Sequence, residues 1–356
     1  MHHDNGIISE TRRAVETPKR IIDAEGKAVF GTFQSEFEEL NLLDAAHPTS
    51  LPDWLNKERL TLWEATEINL KEGVLLAVIC DMGLFGKTLN VFWDRRTNRI
   101  YYFDTNLPSE ETCIAPNLIG NCIAHARTEN SEVQYVNAFD HGRVSLSGQH
   151  EGTDGSMAYR FQLNKVCQPS IVSIPFGDNR PLYTEKQMFT VTGELTLNGE
   201  TFTADESCTA IIDDHRGYYP RKMHYDWVTG MANTAQYGCL GVNLTRNQSI
   251  DQVRYNENLI FMEQENSLLP PVYFKRNPES KDFHGQGRWH IRDDHHMVNV
   301  NFHVQNQLPM IIHAGAVNVD YYIQFGELSG YVRMEDGTRI ILDGMMGMGE
   351  DKSMLL

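Results

Sequence analysis

The residues best suited to chemistry are crowded into residues 209–230, which read T-A-I-I-D-D-H-R-G-Y-Y-P-R-K-M-H-Y-D-W-V-T-G. A short apolar strand runs directly into two carboxylates, a histidine and an arginine. Burying these four groups together is costly unless they pair with one another or line a cavity. The candidate catalytic residues are therefore Asp213, Asp214, His215 and Arg216.

Two interpretations of this stretch are open. In the first it lines a ligand pocket, where one of Asp213 and Asp214 is a general acid with a raised pKa beside an apolar wall such as Trp227. Arg216 then orients the ligand or keeps the other carboxylate ionised. In the second, Asp and Arg only clamp a domain junction, because structural ion-pair networks resemble active sites. The aromatic residues around the motif favour the pocket, since a bare clamp does not need them.

The candidate ligand-binding residues surround the four charged groups. They are Tyr218, Tyr219, His224, Tyr225, Trp227 and, further along the chain, Glu257. Glu257 stands between two asparagines before an apolar run, which suits a general acid held by amides and equally a polar turn. We assign no metal ligand and no cofactor. The G-x-S-x-G, P-loop and H-E-x-x-H motifs of common hydrolases, kinases and zinc enzymes are absent from the sequence.

A second polar group is rich in histidine. It comprises His284, His290, His295, His296, His303 and His313. If W-H-I-R-D-D-H-H forms one strand, His290, Arg292, Asp294 and His296 share a face, and two histidines with a carboxylate can hold a metal. The charge of Arg292 opposes a cation there, and D-D-H-H is also typical of a turn between strands. A metal-dependent β-barrel enzyme is thus a further alternative.

The elements that carry these residues are predicted to be strands. Short runs rich in β-branched and aromatic residues, bounded by Gly, Asn or Asp, recur from residue 60 onward. Asn198-Gly199 and Asp336-Gly337 predict two-residue hairpin turns. Residues 116–129 are the clearest exception, because their apolar residues recur at helical spacing. Alternating βαβ periodicity is absent, so the pattern indicates antiparallel barrels or sandwiches.

Composition limits the possible partners and the compartment. The 356 residues carry a formal net charge of −17, which argues against nucleic acid or an anionic membrane surface, because both require a basic footprint. The six cysteines are scattered, as expected of free thiols in a reducing compartment. No apolar run could span a bilayer, and no signal-peptide pattern opens the chain. We expect a soluble, cytoplasmic protein and leave its oligomeric state open.

The central stretch resembles the D-x-x-R-G-x-x-P…W-x-x-G signature of a bacterial domain-of-unknown-function family, through Asp213, Arg216, Gly217, Pro220 and Trp227. Further blocks match in the same order: L-W-E-A-T-E, I-C-D-M-G-L-F-G, G-V-N-L…N-E-N-L-I-F and the closing F-G-E-L-S-G-Y-V…D-G-M-M-G-M-G-E. The resemblance therefore covers nearly the whole chain. The family is grouped with AttH-like proteins and carotenoid 1,2-hydratases in the lipocalin-like (calycin) superfamily.

The resemblance implies an all-β protein of two lipocalin-like antiparallel barrel or sandwich domains with few short helices. We expect an N-terminal arm over residues 1–50, a first β domain over 51–205 and a second over 206–356. Relatives in the superfamily bind or transform hydrophobic substrates. The sequence departs from the family at His215 and Tyr225, where an aromatic residue and a tryptophan are common, and this leaves room for a ligand more polar than a polyene.

The predicted function is binding of a hydrophobic or amphipathic small molecule. Acid–base chemistry on that ligand (hydration, isomerisation or cyclisation) is an extension of this prediction. The alternative from another class is a non-catalytic structural or interaction protein, whose charged motif only clamps the junction.

Overall fold

The computed structural model describes residues 6–263, 265–276, 287–314 and 317–355. Nearly all regular structure in these ranges is β, and it forms two sheets. The first sheet uses strands up to Gly217 and the second uses strands from Lys222 onward. The prediction of an all-β protein is confirmed. The division into domains at residue 206 stays a prediction, and the chain passes from one sheet to the other between Gly217 and Lys222.

The first sheet has fifteen strands in the described ranges. They are β1 (Ala14–Val15), β2 (Gly31–Phe33), β3 (Thr61–Leu70), β4 (Gly73–Asp81), β5 (Phe85–Asp94), β6 (Arg99–Pro108), β7 (Thr112–Cys113), β8 (Cys122–Arg127), β9 (Ser131–Ala138), β10 (Arg143–Gly152), β11 (Gly155–Lys165), β12 (Ser170–Pro175), β13 (Pro181–Leu197), β14 (Glu200–Thr203) and β15 (Thr209–Gly217).

The second sheet has ten strands in the part of the chain that the structure describes. They are β16 (Lys222–Thr234), β17 (Gly238–Arg246), β18 (Leu259–Met262), β19 (Ser267–Leu268), β20 (Tyr273–Arg276), β21 (Gly287–Arg292), β22 (Val298–Ala314), β23 (Val317–Arg333), β24 (Arg339–Ile341) and β25 (Met345–Leu355).

Helices are few and short. They are α1 (Gly6–Thr11) and α2 (Asn56–Arg59), with single 3-10 turns at Leu42–Asp44, Asp53–Leu55, Ser109–Glu111 and Phe139–His141. Among the described helices, none is both long and apolar enough to cross a membrane.

The main path of the first sheet runs β6-β5-β4-β3-β15-β13-β11-β10-β9-β8-β7 and curls into a nearly closed barrel. Alternate side chains of each strand point inward, as the pleat requires. They form one apolar core with fully buried members such as Ile68, Phe92, Tyr135, Phe161 and Ile212. The barrel interior is therefore filled by side chains.

The second sheet runs β19-β18-β17-β16-β25-β23-β22-β21-β20 and forms a half-barrel. Its concave side has its own apolar core, which includes Val242, Trp289 and Phe302. A third apolar cluster joins the two sheets, and within it Trp93 of β5 stacks on Phe325 of β23 with ring centroids 5.8 Å apart. The outer face of the first barrel thus packs directly on the second sheet.

The two-residue turn predicted at Asn198-Gly199 is confirmed, whereas Asp336-Gly337 lies in a longer hairpin connection between Arg333 and Arg339. Asn198 and Gly199 have φ angles of 51° and 85° and join β13 to β14, whose strands pair in antiparallel register. Gly337 has a φ of 89° in the turn that joins β23 to β24. Positive φ at these positions favours glycine and asparagine.

The helix predicted over residues 116–129 is wrong. Residues 122–127 form β8, which pairs with β9. Ala124 and Ala126 are fully buried, whereas Ile123 is exposed and His125 is half-buried. This alternation has the period of a strand. The helical spacing was misleading because the segment mixes small buried residues with a larger apolar residue on the solvent side.

Candidate functional site

The pleat of β15 divides the four candidate catalytic residues between two faces. Asp213 and His215 face the second sheet, while Asp214 and Arg216 lie on the side of the first barrel. β15 is paired on both edges, with β3 and with β13. A one-residue slip would exchange the two faces and break both ladders, so the division is strongly specified.

The glycine that ends β15 also has a packing role. A Cβ on Gly217 would lie 2.5 Å from the carbonyl oxygen of Pro181 and 2.8 Å from the Cα of Leu182. Only glycine therefore allows β13 and β15 to approach this closely just after the Asp-His-Arg segment.

A cavity of about 1070 Å³ lies between the two sheets. Its wall is largely apolar and aromatic, and both sheets contribute to it. Representative lining residues are Trp63, Leu76, Leu89, Tyr102, Tyr225, Trp227, Met310 and Tyr321. Ligand sites of proteins are typically concave, mostly apolar and supplied with a few polar groups. The cavity has this character and is large enough for a lipid-like molecule.

Part of its wall is formed by an ion cluster centred on Lys186 of β13. Lys186 Nζ lies 2.7 Å from Asp213 Oδ1, 2.9 Å from Glu257 Oε2 and 2.9 Å from His215 Nε2. His215 Nε2 is 3.1 Å from Asp213 Oδ1. The hydroxyl of Thr184 donates to Glu257 Oε2 at 2.6 Å. We call Lys186, Asp213, His215 and Glu257 the outer cluster.

The protonation of the outer cluster follows from burial and mutual charge. Burial raises the pKa of Asp213, but the charges of His215 and Lys186 outweigh burial and hold this pKa below its ordinary value. The pKa of Glu257 is lowered in the same way, mainly by Lys186 against the effect of burial. Asp213 thus does not meet the expectation of a raised pKa.

The pKa values of the two basic groups, His215 and Lys186, are raised instead. Burial lowers the pKa of His215, but the charge of Asp213 and hydrogen bonds to Asp213 and Glu257 together outweigh burial and the opposing charge of Lys186, and the pKa rises to about 9. Burial likewise lowers the pKa of Lys186, and Asp213 and Glu257 together bring it above its usual value. At neutral pH two carboxylates therefore face two cations. His215 Nε2 lies between Asp213 and Lys186, so Nδ1 is the nitrogen of this ring that is left for other partners.

Within the outer cluster the side chains differ in accessibility. Lys186 and Glu257 are 0% and 2% exposed, whereas Asp213 and His215 are 14% and 21% exposed. With His215 Nε2 directed at Asp213, the Nδ1 of His215 is left on the side of Tyr219, whose hydroxyl is 3.5 Å away. A molecule in the cavity would meet His215 and Asp213 first.

The inner cluster consists of Glu64, Glu185, Asp214 and Arg216, on the barrel side of the first sheet. Arg216 Nε donates to Asp214 Oδ1 at 2.6 Å, and its Nη2 donates to Oδ2 of the same carboxylate. A third donor, Arg216 Nη1, reaches the carbonyl oxygen of Pro116 at 2.9 Å. Burial raises the pKa of Glu64 and of Glu185 to about 8. The inner cluster therefore has one ion pair and two neutral carboxyl groups, and it does not line the cavity.

Of the six predicted ligand-binding residues, four line the cavity: Tyr219, Tyr225, Trp227 and Glu257. Tyr218 instead packs in the N-terminal apolar cluster, where its hydroxyl donates to the carbonyl oxygen of Leu42 at 2.9 Å. His224 lies outside the cavity because Met223, Tyr225 and Trp227 occupy the inward positions of β16. The alternation of side chains along a strand directs His224 away from the cavity, as it does Asp214 and Arg216.

The histidines proposed for a metal site are not gathered in one place. β21 ends at Arg292, so Asp294 and His296 lie in the following turn, where His296 has a φ of 59°. His284 lies outside the described residues. Among those described, three potential ligands converge only at His224, Asp226 and Asp351.

A positively charged side chain, Arg276, already pairs with the two carboxylates of this group. Arg276 forms ion pairs with Asp226 and with Asp351. Its positive charge stands where a metal ion would have to bind, so this arrangement disfavours a metal.

Sequence reasoning missed Lys186, the centre of the outer cluster. Its signal was present: E-K-Q occurs inside the run P-L-Y-T-E-K-Q-M-F, and lysine is almost never fully buried unless it is paired. Glu67 of β3 and Glu350 of β25 were also missed, and both line the cavity. Each is a carboxyl group within a run of buried strand residues.

A profile for a domain of unknown function, DUF2804, matches residues 12–355. The chain belongs to the DUF2804 family. No curated protein matches the chain.

Two solved structures resemble the DUF2804 chain described here. The AttH-like protein NE1406 from Nitrosomonas europaea is 12% identical, with a TM-score of 0.52, over 83% of this chain and 93% of its own. Kievitone hydratase from Nectria haematococca is 12% identical, with a TM-score of 0.49, over 92% of this chain and 97% of its own. The first likeness shows a common fold. The predicted membership of a domain-of-unknown-function family and the predicted lipocalin-like fold are confirmed.

Proposed function

We propose that this DUF2804 protein binds a hydrophobic or amphipathic small molecule between its two sheets and exchanges a proton with it at His215. One observation carries the proposal: a cluster of lysine, histidine and two carboxyl groups borders a large cavity whose wall is otherwise mainly apolar. Charges placed beside a low-dielectric space are costly for stability and are typical of functional sites. The lipocalin-like resemblance supports the same class of ligand.

In the proposed chemistry, His215 is the group that exchanges the proton. Its Nδ1–H gives a proton to a carbon or oxygen atom of the ligand, and Asp213 at Nε2 stabilises the imidazolium and fixes the ring. Neutral His215 then takes a proton back, either from a water that adds to the ligand or from a neighbouring carbon of the ligand. The first outcome is hydration and the second is isomerisation.

Lys186 and Glu257 act behind this pair. Lys186 donates to Asp213 and to Glu257, so it keeps both carboxylates ionised and in place. Both are positioning residues in this proposal, because their charged groups are already bound to Asp213, to Thr184 and to each other. The alternative, a purely structural clamp, describes the inner cluster well, since Asp214 and Arg216 face away from the cavity and satisfy each other.

Two measurements test the proposal. N-phenyl-1-naphthylamine, a fluorescent apolar probe, should bind the wild-type protein and be displaced by fatty acids or terpenoids. The protein is then incubated in D₂O with prenylated phenols, terpenoids and unsaturated fatty acids, and mass spectrometry records the gain of one water or of deuterium at carbon. His215→Gln should lose turnover and keep probe binding, while the control His290→Gln, on β21 outside the cavity, keeps both.

The opposite results would separate the classes of function. Absence of probe binding by folded wild-type protein would contradict the ligand-binding proposal. Probe binding with turnover that His215→Gln leaves intact would contradict the role of His215 and leave the pocket standing.

A further inference from the structure

A further carboxyl group, Glu67, faces the same cavity and has no hydrogen-bond partner among the described residues. Glu67 lies on β3 and is only 2% exposed, yet it lines the cavity. Neither of its carboxyl oxygens has a hydrogen bond within the described chain. Buried polar groups are nearly always paired, so an orphaned carboxyl group at a cavity wall calls for an explanation.

The group that acts on Glu67 most directly is Glu350, on β25 of the other sheet. Glu350 is well provided with donors: the Tyr321 hydroxyl donates to Oε1 at 2.5 Å and the Tyr225 hydroxyl donates to Oε2 at 2.8 Å. Burial raises the pKa of Glu350, and the charge of Lys352 and the two tyrosine hydroxyls oppose this rise without reversing it. Of the two carboxyl groups, Glu350 is the better place for a negative charge.

Of these two carboxyl groups, Glu67 is therefore the one that keeps its proton. Burial and the charge of Glu350 raise the pKa of Glu67 well above its ordinary value. Two neighbouring carboxyl groups whose surroundings differ in this way take different protonation states. A neutral carboxyl group has one O–H donor, and on Glu67 this donor has no protein acceptor in the described ranges.

We propose that Glu67 donates a hydrogen bond to a carbonyl oxygen of the ligand, so that the ligands are hydrophobic ketones, enones or aldehydes. The inference rests on the proposed function, because it requires a ligand in the same cavity. The hydrogen bond polarises the carbonyl group and changes no covalent bond. It places the carbonyl end of the ligand at Glu67 and leaves His215 to act elsewhere on the same molecule.

The charges around Glu67 favour a neutral acceptor over an ionic ligand group. Glu350 would repel a carboxylate at this position. A cationic ligand would compete with Lys352, whose ammonium already lies 4.4 Å from the ring centroid of Tyr321 and 5.1 Å from that of Trp63. A carbonyl oxygen can accept a hydrogen bond from neutral Glu67. It is not repelled by Glu350 and does not compete with Lys352.

Two naphthalene probes test the inference. One is 6-propionyl-2-(dimethylamino)naphthalene, a ketone whose emission shifts when its carbonyl accepts a hydrogen bond, and the other is its 6-propyl analogue without a carbonyl. Wild-type protein should bind the ketone about 3- to 10-fold more tightly, as one hydrogen bond provides. Glu67→Leu should abolish this preference by weakening only ketone binding. Glu64→Gln, on the opposite face of β3, is the matched control and should keep the preference.

A second variant covers the case in which Glu67→Leu does not fold. Glu67→Gln keeps the size of the side chain, and the infrared difference spectrum of wild type minus Glu67→Gln should show the carbonyl band of a protonated carboxyl group at neutral pH. This band should shift when the ketone binds and stay in place with the propyl probe. Absence of the band would overturn the inference.

The binding results separate this inference from the proposed function. If both probes bind wild type and Glu67→Leu with no preference for the ketone, the role of Glu67 is wrong and the pocket stands. If neither probe binds folded wild-type protein, the pocket itself is wrong. Tighter binding of dodecyltrimethylammonium than of the ketone would also overturn the inference, because it would show a cation site.

Discussion

The inner and outer clusters meet at β15, where neighbouring residues of the same types belong to different environments. The inner cluster has one cation for three carboxyl groups, and two of these, Glu64 and Glu185, keep their protons. The outer cluster balances two cations against two carboxylates and leaves Asp213 and His215 partly accessible from the cavity. Protonation and pairing neutralise the carboxyl groups of the inner cluster, whereas the outer cluster keeps its charges at the edge of the cavity. Charged side chains at the wall of a cavity are expected of a reactive site.

The largest expected difference is between Asp214→Asn and Asp213→Asn. Asp214→Asn leaves Arg216 buried without its partner, which typically costs about 3–5 kcal/mol, a fall in Tm of roughly 6–20 °C for domains of this size. Asp213→Asn should cost much less, because His215 can lose its proton and Glu257 still pairs with Lys186. Thermal and urea unfolding measure both variants. Equal losses of stability would contradict the distinction between the clusters.

A pH effect should report on the outer cluster. The pKa of His215 is about 9 in the folded protein and about 6.5 when unfolded, so its contribution is complete below pH 6.5 and is lost as the pH rises through 9. The contribution amounts to at most about 3 kcal/mol. The free energy of unfolding of wild type minus that of His215→Gln should therefore decline between pH 6.5 and 9. A difference that is flat over this range would show that His215 is not held as a cation.

In the inner cluster, replacing a titrating residue by glutamine should have the opposite effect on stability. Glu64 has a pKa of about 8 in the folded protein and about 4.3 when unfolded, so its stabilising contribution falls as the pH rises between these values. Glu64→Gln removes this loss and can still accept from Asn137, which donates to Oε1 at 2.7 Å. The variant should be more stable than wild type at pH 8 by about 1 kcal/mol or more and close to wild type at pH 4.5. Destabilisation at pH 8 would mean that Glu64 is ionised in the fold.

The smallest effect should come from His224→Gln. His224 is next to Tyr225 in sequence but lies on the other face of β16 and is about half exposed. A surface substitution of this kind usually changes stability by less than about 0.5 kcal/mol, and it should leave N-phenyl-1-naphthylamine binding unchanged. Tyr225→Ala, one residue away, should alter probe binding. A loss of binding in His224→Gln would show that the cavity extends beyond its described wall.

Much of the fold could be predicted from local patterns. Strand periodicity and the Asn198-Gly199 turn depend on neighbouring residues, and so does the alternation that separates Asp213 from Asp214. Local patterns do not reveal which face of β15 meets a cavity and which meets a filled core. That depends on how the second sheet packs on the first.

The rest of the candidate site depends on long-range pairing. Lys186 reaches Asp213 only because β13 and β15 pair in a register that sets them opposite each other. Glu67 and Glu350 approach through the packing of β3 on β25, far apart in sequence. A pattern search can mark each of them as a charged residue in a buried strand, but not as members of one site. Whether the predicted residues act on a ligand stays a prediction.

The position of β25 has a consequence for the synthesis of the protein. β25 is the last of the described strands to leave the ribosome, yet it lies between β16 and β23 in the second sheet. Until it arrives, β16 and β23 each have an unpaired edge, and Glu350 and Lys352 are missing from the cavity wall. Unpaired edges are templates for association with other chains. A nascent chain stalled before residue 345 would thus expose two such edges, and we expect chaperone binding to matter most during this interval.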